Sequence, residues 1–310
     1  MQVVVAGLGS IGTRHARILK DLGADVTTVS RRGGVGDEED LHAALRRRPN
    51  ALFVIATETA AHATALSIAD AVGHVGPVVV EKPLGAKLDE FPARNDSRAI
   101  WVAYNLRYLP VVESFKAELE KLDEPLISVH AYVGQFLGDW RAGRNVRHTY
   151  SAKRSAGGGA LRDLSHELDL LMWLWGVPEV VAALGGRVSN ITIDSDDCWN
   201  ILMRMRRGIN VSLALNYFDR PARRFLHAVS ADKTLSADLI EQTLRVNETL
   251  SHYPAGPDDS YRAMWADILR SVQTGVGCRA CNYANGRDVL SVIERCEEAA
   301  DNAWGVAVGV

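Results

Sequence analysis

The chain has 310 residues, 47% of them hydrophobic and 24% charged, a balance that fits a folded protein of about two domains and excludes a disordered chain or a small disulfide-stapled scaffold. Lys plus Arg number 35 against 38 Asp plus Glu, a net charge of −3, so there is no basic footprint for nucleic acid or an anionic membrane surface. The longest apolar runs, at 51–56 and 78–80, have strand length and fall far short of the ~18 residues of a membrane span.

The start, Met1-Gln2-Val3-Val4-Val5-Ala6-Gly7, reads as a first strand with no basic leader, and the expected location is the cytoplasm. Short apolar runs at 3–6, 25–30, 51–56, 78–81 and 100–103 predict buried strands, and helical periodicity marks 11–22, 37–47 and 60–71 between them. Strand and helix alternating in this order predict a parallel, doubly wound α/β sheet with right-handed crossovers, that is, a Rossmann domain. A helix over 111–122 and the breaker Glu124-Pro125 close this first domain, 1–122. Beyond it, consecutive β-type runs at 127–133, 180–188, 199–205, 209–215, 225–230 and 244–247 predict an α+β second domain, 123–310, with a largely antiparallel open sheet. One helix, 164–175, interrupts these strands, and two more, 260–274 and 286–303, end the chain, the last free to pack back on the first domain. The Gly- and Arg-rich stretch 134–159 has the weak periodicity of a functional loop. Four cysteines fit reduced thiols, and Cys278-Arg279-Ala280-Cys281 lacks a second pair or a histidine at ligand spacing, so no metal is expected.

The run Gly7-Leu8-Gly9-Ser10-Ile11-Gly12 follows the first predicted strand and opens the first predicted helix. There Gly7 permits a tight turn, Gly9 lets a pyrophosphate approach the backbone and Gly12 lets the helix pack closely, with the anion at the helix N-terminus beside Ser10 and Ile11. The second strand ends Val29-Ser30-Arg31-Arg32, without the carboxylate that accepts from the ribose 2′-hydroxyl of NAD. A hydroxyl and two guanidiniums suit a 2′-phosphate, so NADP(H) is the preferred cofactor with NAD(H) as the alternative; two solvated loop arginines are the plainer reading. Glu81-Lys82-Pro83 stands at the C-terminal end of the fourth strand, where open sheets bind ligands, so Lys82 can share a proton with a reacting hydroxyl. By itself that tripeptide equally fits an exposed lysine on a turn. Gly157-Gly158-Gly159 leads through Asp163, His166 and Asp169 into an apolar helix. Their spacing of three puts them on one helical face, where a carboxylate orients an imidazole as a proton relay; a helix N-cap at Asp163 and a core histidine at His166 fit the same residues.

In this order, joined by Thr57-Glu58-Thr59-Ala60-Ala61-His62 and Tyr104-Asn105-Leu106-Arg107-Tyr108, the motifs resemble the Gfo/Idh/MocA family of nicotinamide-dependent oxidoreductases over essentially the whole chain. The resemblance implies that Lys82 and His166 meet over the nicotinamide, Lys82 polarising the substrate oxygen and His166 exchanging the hydroxyl proton, with Asp163 as their companion. It places Thr57, His62 and Glu81 in the cofactor site. It also implies an open sheet in the second domain whose exposed face forms a homodimer or homotetramer. Two departures from the family pattern stand out: Asp163 precedes His166 by three positions rather than four, and Glu58 stands where a proline is common.

The segments 138–141 and 148–153 are similar to a subgroup found in bacterial glycan and sugar biosynthesis. Asn105, Arg107, Trp140, Arg141 and Tyr150 therefore join Asp163 and His166 as candidate substrate contacts: the aromatics stack on a sugar ring, and Arg141, Arg144, Arg147 and Lys153 meet a phosphate or carboxylate. A solvated basic loop, and for Arg107 an anchor between domains, are the competing readings.

Two function classes follow. One is an enzyme that interconverts a secondary alcohol and a ketone on a sugar, sugar nucleotide or polyol, with reduction of an imine or conjugated bond as a variant. The other is a catalytically silent NADP-binding regulator or scaffold. A sensor has no need of a proton relay at the nicotinamide, so the presence of both Lys82 and His166 favours the enzyme.

Overall fold

The computed structural model describes residues 1–94, 97–140 and 146–307. Two compact units divide the chain: Met1–Asn105 with Asp258–Leu290, and Leu106–Pro257 with Ser291–Val310.

In the first unit, β1 (Gln2–Ala6), β2 (Asp25–Val29), β3 (Leu52–Ile55), β4 (Val78–Val80) and β5 (Ile100–Val102) pair in parallel in the order β5-β4-β3-β1-β2. A parallel sheet is covered on both faces, so its inner strands read as unbroken apolar runs rather than as alternating ones. Its crossovers carry α1 (Ser10–Asp21), α2 (Leu41–Arg47) and α3 (His62–Ala71). α2 begins later than the expected residue 37. Residues ahead of it are held along β2, where Glu38 N–H donates to Thr28 O (3.1 Å) and Ser30 N–H to Glu38 O (3.0 Å). Asp40 then caps the helix, accepting from the N–H groups of His42 (2.9 Å) and Ala43 (3.2 Å).

The second unit opens with α4 (Pro110–Leu119) and β6 (Leu126–Gly134), followed by α5 (Ala160–Asp163) and α6 (His166–Trp175). The strands β7 (Val180–Gly186), β8 (Cys198–Arg204), β9 (Asn210–Asn216), β10 (Arg223–Ser230), β11 (Thr234–Asp238), β12 (Thr243–Val246) and β13 (Thr249–His252) complete it. The sheet order is β13-β12-β11-β10-β6-β9-β8-β7, antiparallel except for the β6–β9 pair. The expected largely antiparallel sheet is found, with two strands more than the sequence reading supplies, β11 and β13. Both are short and mixed in polarity, and they are recruited by pairing with β12 rather than by an apolar run of their own.

Alternation sorts the faces of this sheet. Val129, Ala131 and Val133 of β6, Ile201 and Met203 of β8, and Val211, Leu213 and Leu215 of β9 are buried. The opposite face shows Val180, Leu184 and Leu202, each more than half exposed, and Tyr132 stacked on Phe225 with ring centroids 5.4 Å apart.

Two late segments return to the first unit: α7 (Asp259–Thr274), which lies against α1, and β14 (Cys281–Asn282), which pairs antiparallel with β5. The final helix is α8 (Tyr283–Ala307). The compact units thus differ from a single division after residue 122. α4 lies on β11 and β12, and the return of 258–290 depends on pairings such as Cys281 with Val102, which no local pattern encodes. Among the described residues, no helix is long and apolar enough to cross a membrane.

Candidate active site

The glycine turn follows β1 as expected, and its three glycines have different reasons. Gly7 has φ +94° and donates its N–H to Val29 O (3.1 Å); a Cβ there would lie 2.5 Å from Ala56 O. At Gly12 a Cβ would lie 1.8 Å from Gly7 O. Gly9, by contrast, has no atom within 4 Å of where its Cβ would sit, so the protein's own packing does not account for it. Gly9 is also the N-cap of α1 and offers no side chain to the first turn, leaving the N–H groups around Ser10 and Ile11 uncapped.

The neighbouring strand ends supply further groups. Thr57 Oγ1, just beyond β3, is buried with no hydrogen-bond partner among the described residues. Open space at Gly9, an uncapped helix start and this orphaned hydroxyl fit a dinucleotide at the carboxyl edge of the sheet. Beyond β2, the Arg32 guanidinium donates to Leu8 O (2.7 Å) and its backbone N–H to Ser30 Oγ (3.2 Å), while Arg31 is exposed. The expectation that no carboxylate lies near this strand end needs correction, because the loop brings back both Asp37 and Glu38. Each is already engaged. Asp37 Oδ2 accepts from Thr28 N and Oγ1 (both 2.8 Å), which lowers its pKa, and Glu38 pairs with Arg48 (3.0 Å) and Arg47.

Glu81 and Lys82 follow β4. Glu81 Oε1 meets His15 Nε2 at 2.6 Å, and Glu81 Oε2 accepts from the Lys82 backbone N–H at 3.1 Å. Burial alone would raise the Glu81 pKa, but the His15 hydrogen bond and the Lys82 charge outweigh it and hold the carboxyl below its ordinary range. His62 is 1% exposed, with Nε2 3.2 Å from Thr57 O and Nδ1 3.1 Å from Pro83 O. Burial pushes its pKa down despite those carbonyls. It ties together the two loops that carry Thr57 and Pro83.

His166, Asp163, Trp140 and Tyr150 belong to the second unit. The helix expected over 164–175 is interrupted: α5 ends at Asp163, Leu164 and Ser165 form a turn, and α6 begins at His166. Asp163 and His166 therefore do not share one continuous helical face, and Asp163 is not an N-cap. Its Oδ2 accepts from Tyr217 Oη at 2.7 Å, and burial with the Asp163 charge raises the Tyr217 phenol well above its usual pKa. Trp140 packs edge-on against Tyr217 (5.3 Å, 86°), with its buried Nε1 lacking a partner among the described residues.

The triple glycine is explained by close packing. A Cβ on Gly158 would lie 2.2 Å from Tyr150 O, and one on Gly159 (φ +123°) 2.0 Å from Asp196 Oδ1. That approach lets Asp196 Oδ2 accept from Leu161 N (2.8 Å) and Trp199 Nε1 (2.7 Å).

Two expected substrate contacts have internal partners. Asn105 donates to Ser260 Oγ at 2.7 Å, both residues being buried. Arg107 forks onto Asp169, with Nε to Oδ2 at 2.8 Å and Nη2 to Oδ1 at 2.6 Å, and stacks over Trp173 at 5.5 Å. Removing one member of such a buried pair costs about 3–5 kcal/mol. Arg141 lies outside the described residues. The residues that sequence reasoning missed are His15, Trp265, Asp196 and Tyr217. Only His15 left a trace, as a polar side chain on the buried stripe of α1 with Gly12, Ala16 and Leu19.

Residues 126–234 match the sequence model of the GFO/IDH/MocA C-terminal domain. No curated protein matches the chain. Among solved structures, levoglucosan dehydrogenase in complex with NADH and levoglucosan superposes with a TM-score of 0.85 at 17% identity, over 97% of each chain. The UDP-N-acetylglucosamine 3-dehydrogenase of Acidithiobacillus ferrooxidans gives 0.79 at 19% identity, over 97% of this chain and 98% of that one. The WlbA dehydrogenase of Bordetella pertussis, in complex with NADH and UDP-GlcNAcA, gives 0.79 at 17%, over 98% and 97%. At these identities the likeness establishes the fold.

The contrast between the glycines gives a direct test. Gly12→Ala should lower the thermal midpoint by several degrees, as expected for a loss of ~1 kcal/mol or more. Gly9→Ala should leave the midpoint unchanged and weaken dinucleotide binding in a fluorescence titration. Equal stability loss in both variants would contradict the open space at Gly9.

Proposed function

We propose, from the match of residues 126–234 to the GFO/IDH/MocA C-terminal domain and the dehydrogenase fold of the whole chain, that the protein is a nicotinamide-dependent oxidoreductase of the Gfo/Idh/MocA family. It interconverts a secondary alcohol and a ketone on a sugar, sugar nucleotide or related polyol, in the cytoplasm. The observation that carries this reading is an intact glycine turn after β1 together with Lys82 after β4, at the same carboxyl edge of one parallel sheet. Sugar and sugar-nucleotide dehydrogenases of the same fold support the substrate class.

A nicotinamide, when bound, exchanges a hydride with the substrate carbon. Lys82 holds the substrate oxygen and offsets the negative charge that grows on it during oxidation. His166 takes the hydroxyl proton on oxidation and returns it on reduction. Asp163, fixed by Tyr217, supports that end of the site, and Trp140 offers its indole N–H to a substrate oxygen. Trp140 and Tyr150 supply the aromatic surfaces for a sugar ring.

The cofactor is NADP(H) in preference to NAD(H). Ser30, Arg31 and Arg32 follow β2, and the two nearby carboxylates are engaged by Thr28 and by Arg47 and Arg48. The exposed face of the second sheet, with Val180, Leu184 and Leu202, pairs with a second copy of the chain.

Lys82→Ala and His166→Ala should each depress kcat by about 10²–10⁴ on the sugar alcohol that the wild-type protein oxidises, with NADPH affinity retained. Near-normal turnover in either variant would remove its role, and tight dinucleotide binding without turnover of any sugar would favour the regulator. Replacing Arg31 and Arg32 together by Ala should weaken NADPH at least tenfold more than NADH, a single charge-assisted contact to a phosphate being worth ~1.5–3 kcal/mol; equal losses would refute the cofactor preference. Leu202→Arg should convert the oligomer to monomer in sedimentation, and an unchanged mass would refute pairing through this face.

A further inference from the structure

Three buried side chains from distant parts of the first unit form one hydrogen-bonded chain behind Lys82. Trp265 Nε1 donates to His15 Nδ1 at 2.9 Å, His15 Nε2 meets Glu81 Oε1 at 2.6 Å, and Glu81 Oε2 accepts the Lys82 backbone N–H at 3.1 Å. His15 and Trp265 are wholly buried and Glu81 is 7% exposed. An indole N–H can only donate, so Nδ1 of His15 accepts and Nε2 carries the hydrogen that goes to Glu81. The imidazole is held in that orientation by edge-on contacts with Trp265 (5.3 Å, 89°) and Tyr261 (5.7 Å, 70°). Burying a carboxylate, an imidazole and an indole N–H costs desolvation that an apolar trio of similar volume would avoid. Fully satisfied, such a network specifies one geometry in return.

We propose that His15 and Trp265 are positioning residues for the reaction: Trp265 fixes the His15 tautomer, His15 fixes the Glu81 carboxylate, and Glu81 fixes the backbone from which Lys82 projects. The proposal rests on the reading of Lys82 as the group that holds the substrate oxygen. Both residues act through Glu81, and the sequence gives no hint of their meeting, since they lie 250 positions apart.

The test compares the wild-type protein with Trp265→Phe, His15→Leu and His15→Gln. Wild-type imidazole nitrogen NMR shifts should report an unprotonated Nδ1 at His15, and in Trp265→Phe that preference should be lost while the Lys82 amide proton moves upfield. Trp265→Phe should lower kcat about tenfold, or ~1.4 kcal/mol, with dinucleotide affinity within about twofold. His15→Gln, which can still accept from Trp265 and donate to Glu81, should keep more of kcat than His15→Leu. A protonated Nδ1 in the wild-type protein, an unchanged Lys82 amide in Trp265→Phe, or a loss confined to dinucleotide affinity would overturn the proposal. Should His15→Leu fail to fold, Trp265→Phe decides. Should the wild-type protein turn over no sugar alcohol, the proposed activity fails, and the two NMR readouts alone decide whether the chain of hydrogen bonds sets the Lys82 loop.

Discussion

At the start of α1, three backbone segments approach more closely than any side chain would allow. The contacts that Gly12 makes with Gly7, and Gly7 with Ala56, leave no room for a Cβ at either glycine. The helix is therefore seated directly on the ends of β1 and β3. Two features depend on that seat. The first turn of α1 keeps its N–H groups uncapped at the carboxyl edge of the sheet, and His15, one turn further along, enters the core at the depth needed to meet Glu81. A steric constraint of the backbone thus organises both the uncapped start of the helix and the polar chain behind Lys82.

The second unit uses the same device in a different place. Gly158 and Gly159 allow the loop to close on Tyr150 and Asp196, and Asp196 in turn holds the start of α5. The segment that carries His166 is then tied by charge. Arg162 pairs with Glu297 (2.6 Å), Glu167 with Arg224 (2.6 Å) and Asp169 with Arg107 (2.6 Å), so partners from α8, from β10 and from the turn ahead of α4 converge on it. Buried pairs of this kind contribute little net stability against an apolar replacement. Their effect is to give His166 a surround with few alternative arrangements.

Several residues expected to touch ligand have protein partners that hold them in place. Arg107 and Asn105 stand in a motif with a functional look, yet their polar ends face Asp169 and Ser260. His62 binds carbonyls of two loops. Residues in a motif can be required for placing a site as much as for its chemistry, and the distinction depends on partners that lie far away along the chain. In the same way, the triplet spacing of Asp163, His166 and Asp169 suggested one helical face, whereas the turn at Leu164 and Ser165 sends Asp163 to Tyr217.

What the amino-acid sequence determined alone was everything carried by local pattern: the five parallel strands, most helices, the alternating strands of the second sheet, and the glycine turn with its steric demands. Periodicity and backbone conformation act over a few residues, so they can be read from a few residues. Only the tertiary structure decided that β14 and α7 return to the first unit, that β11 and β13 extend the second sheet, and that Asp37 and Glu38 come back to β2 already engaged. It also decided the meeting of Trp265, His15 and Glu81. Each of these depends on hydrogen bonds or strand pairing between distant segments, whose energy exists only once the chain has closed on itself.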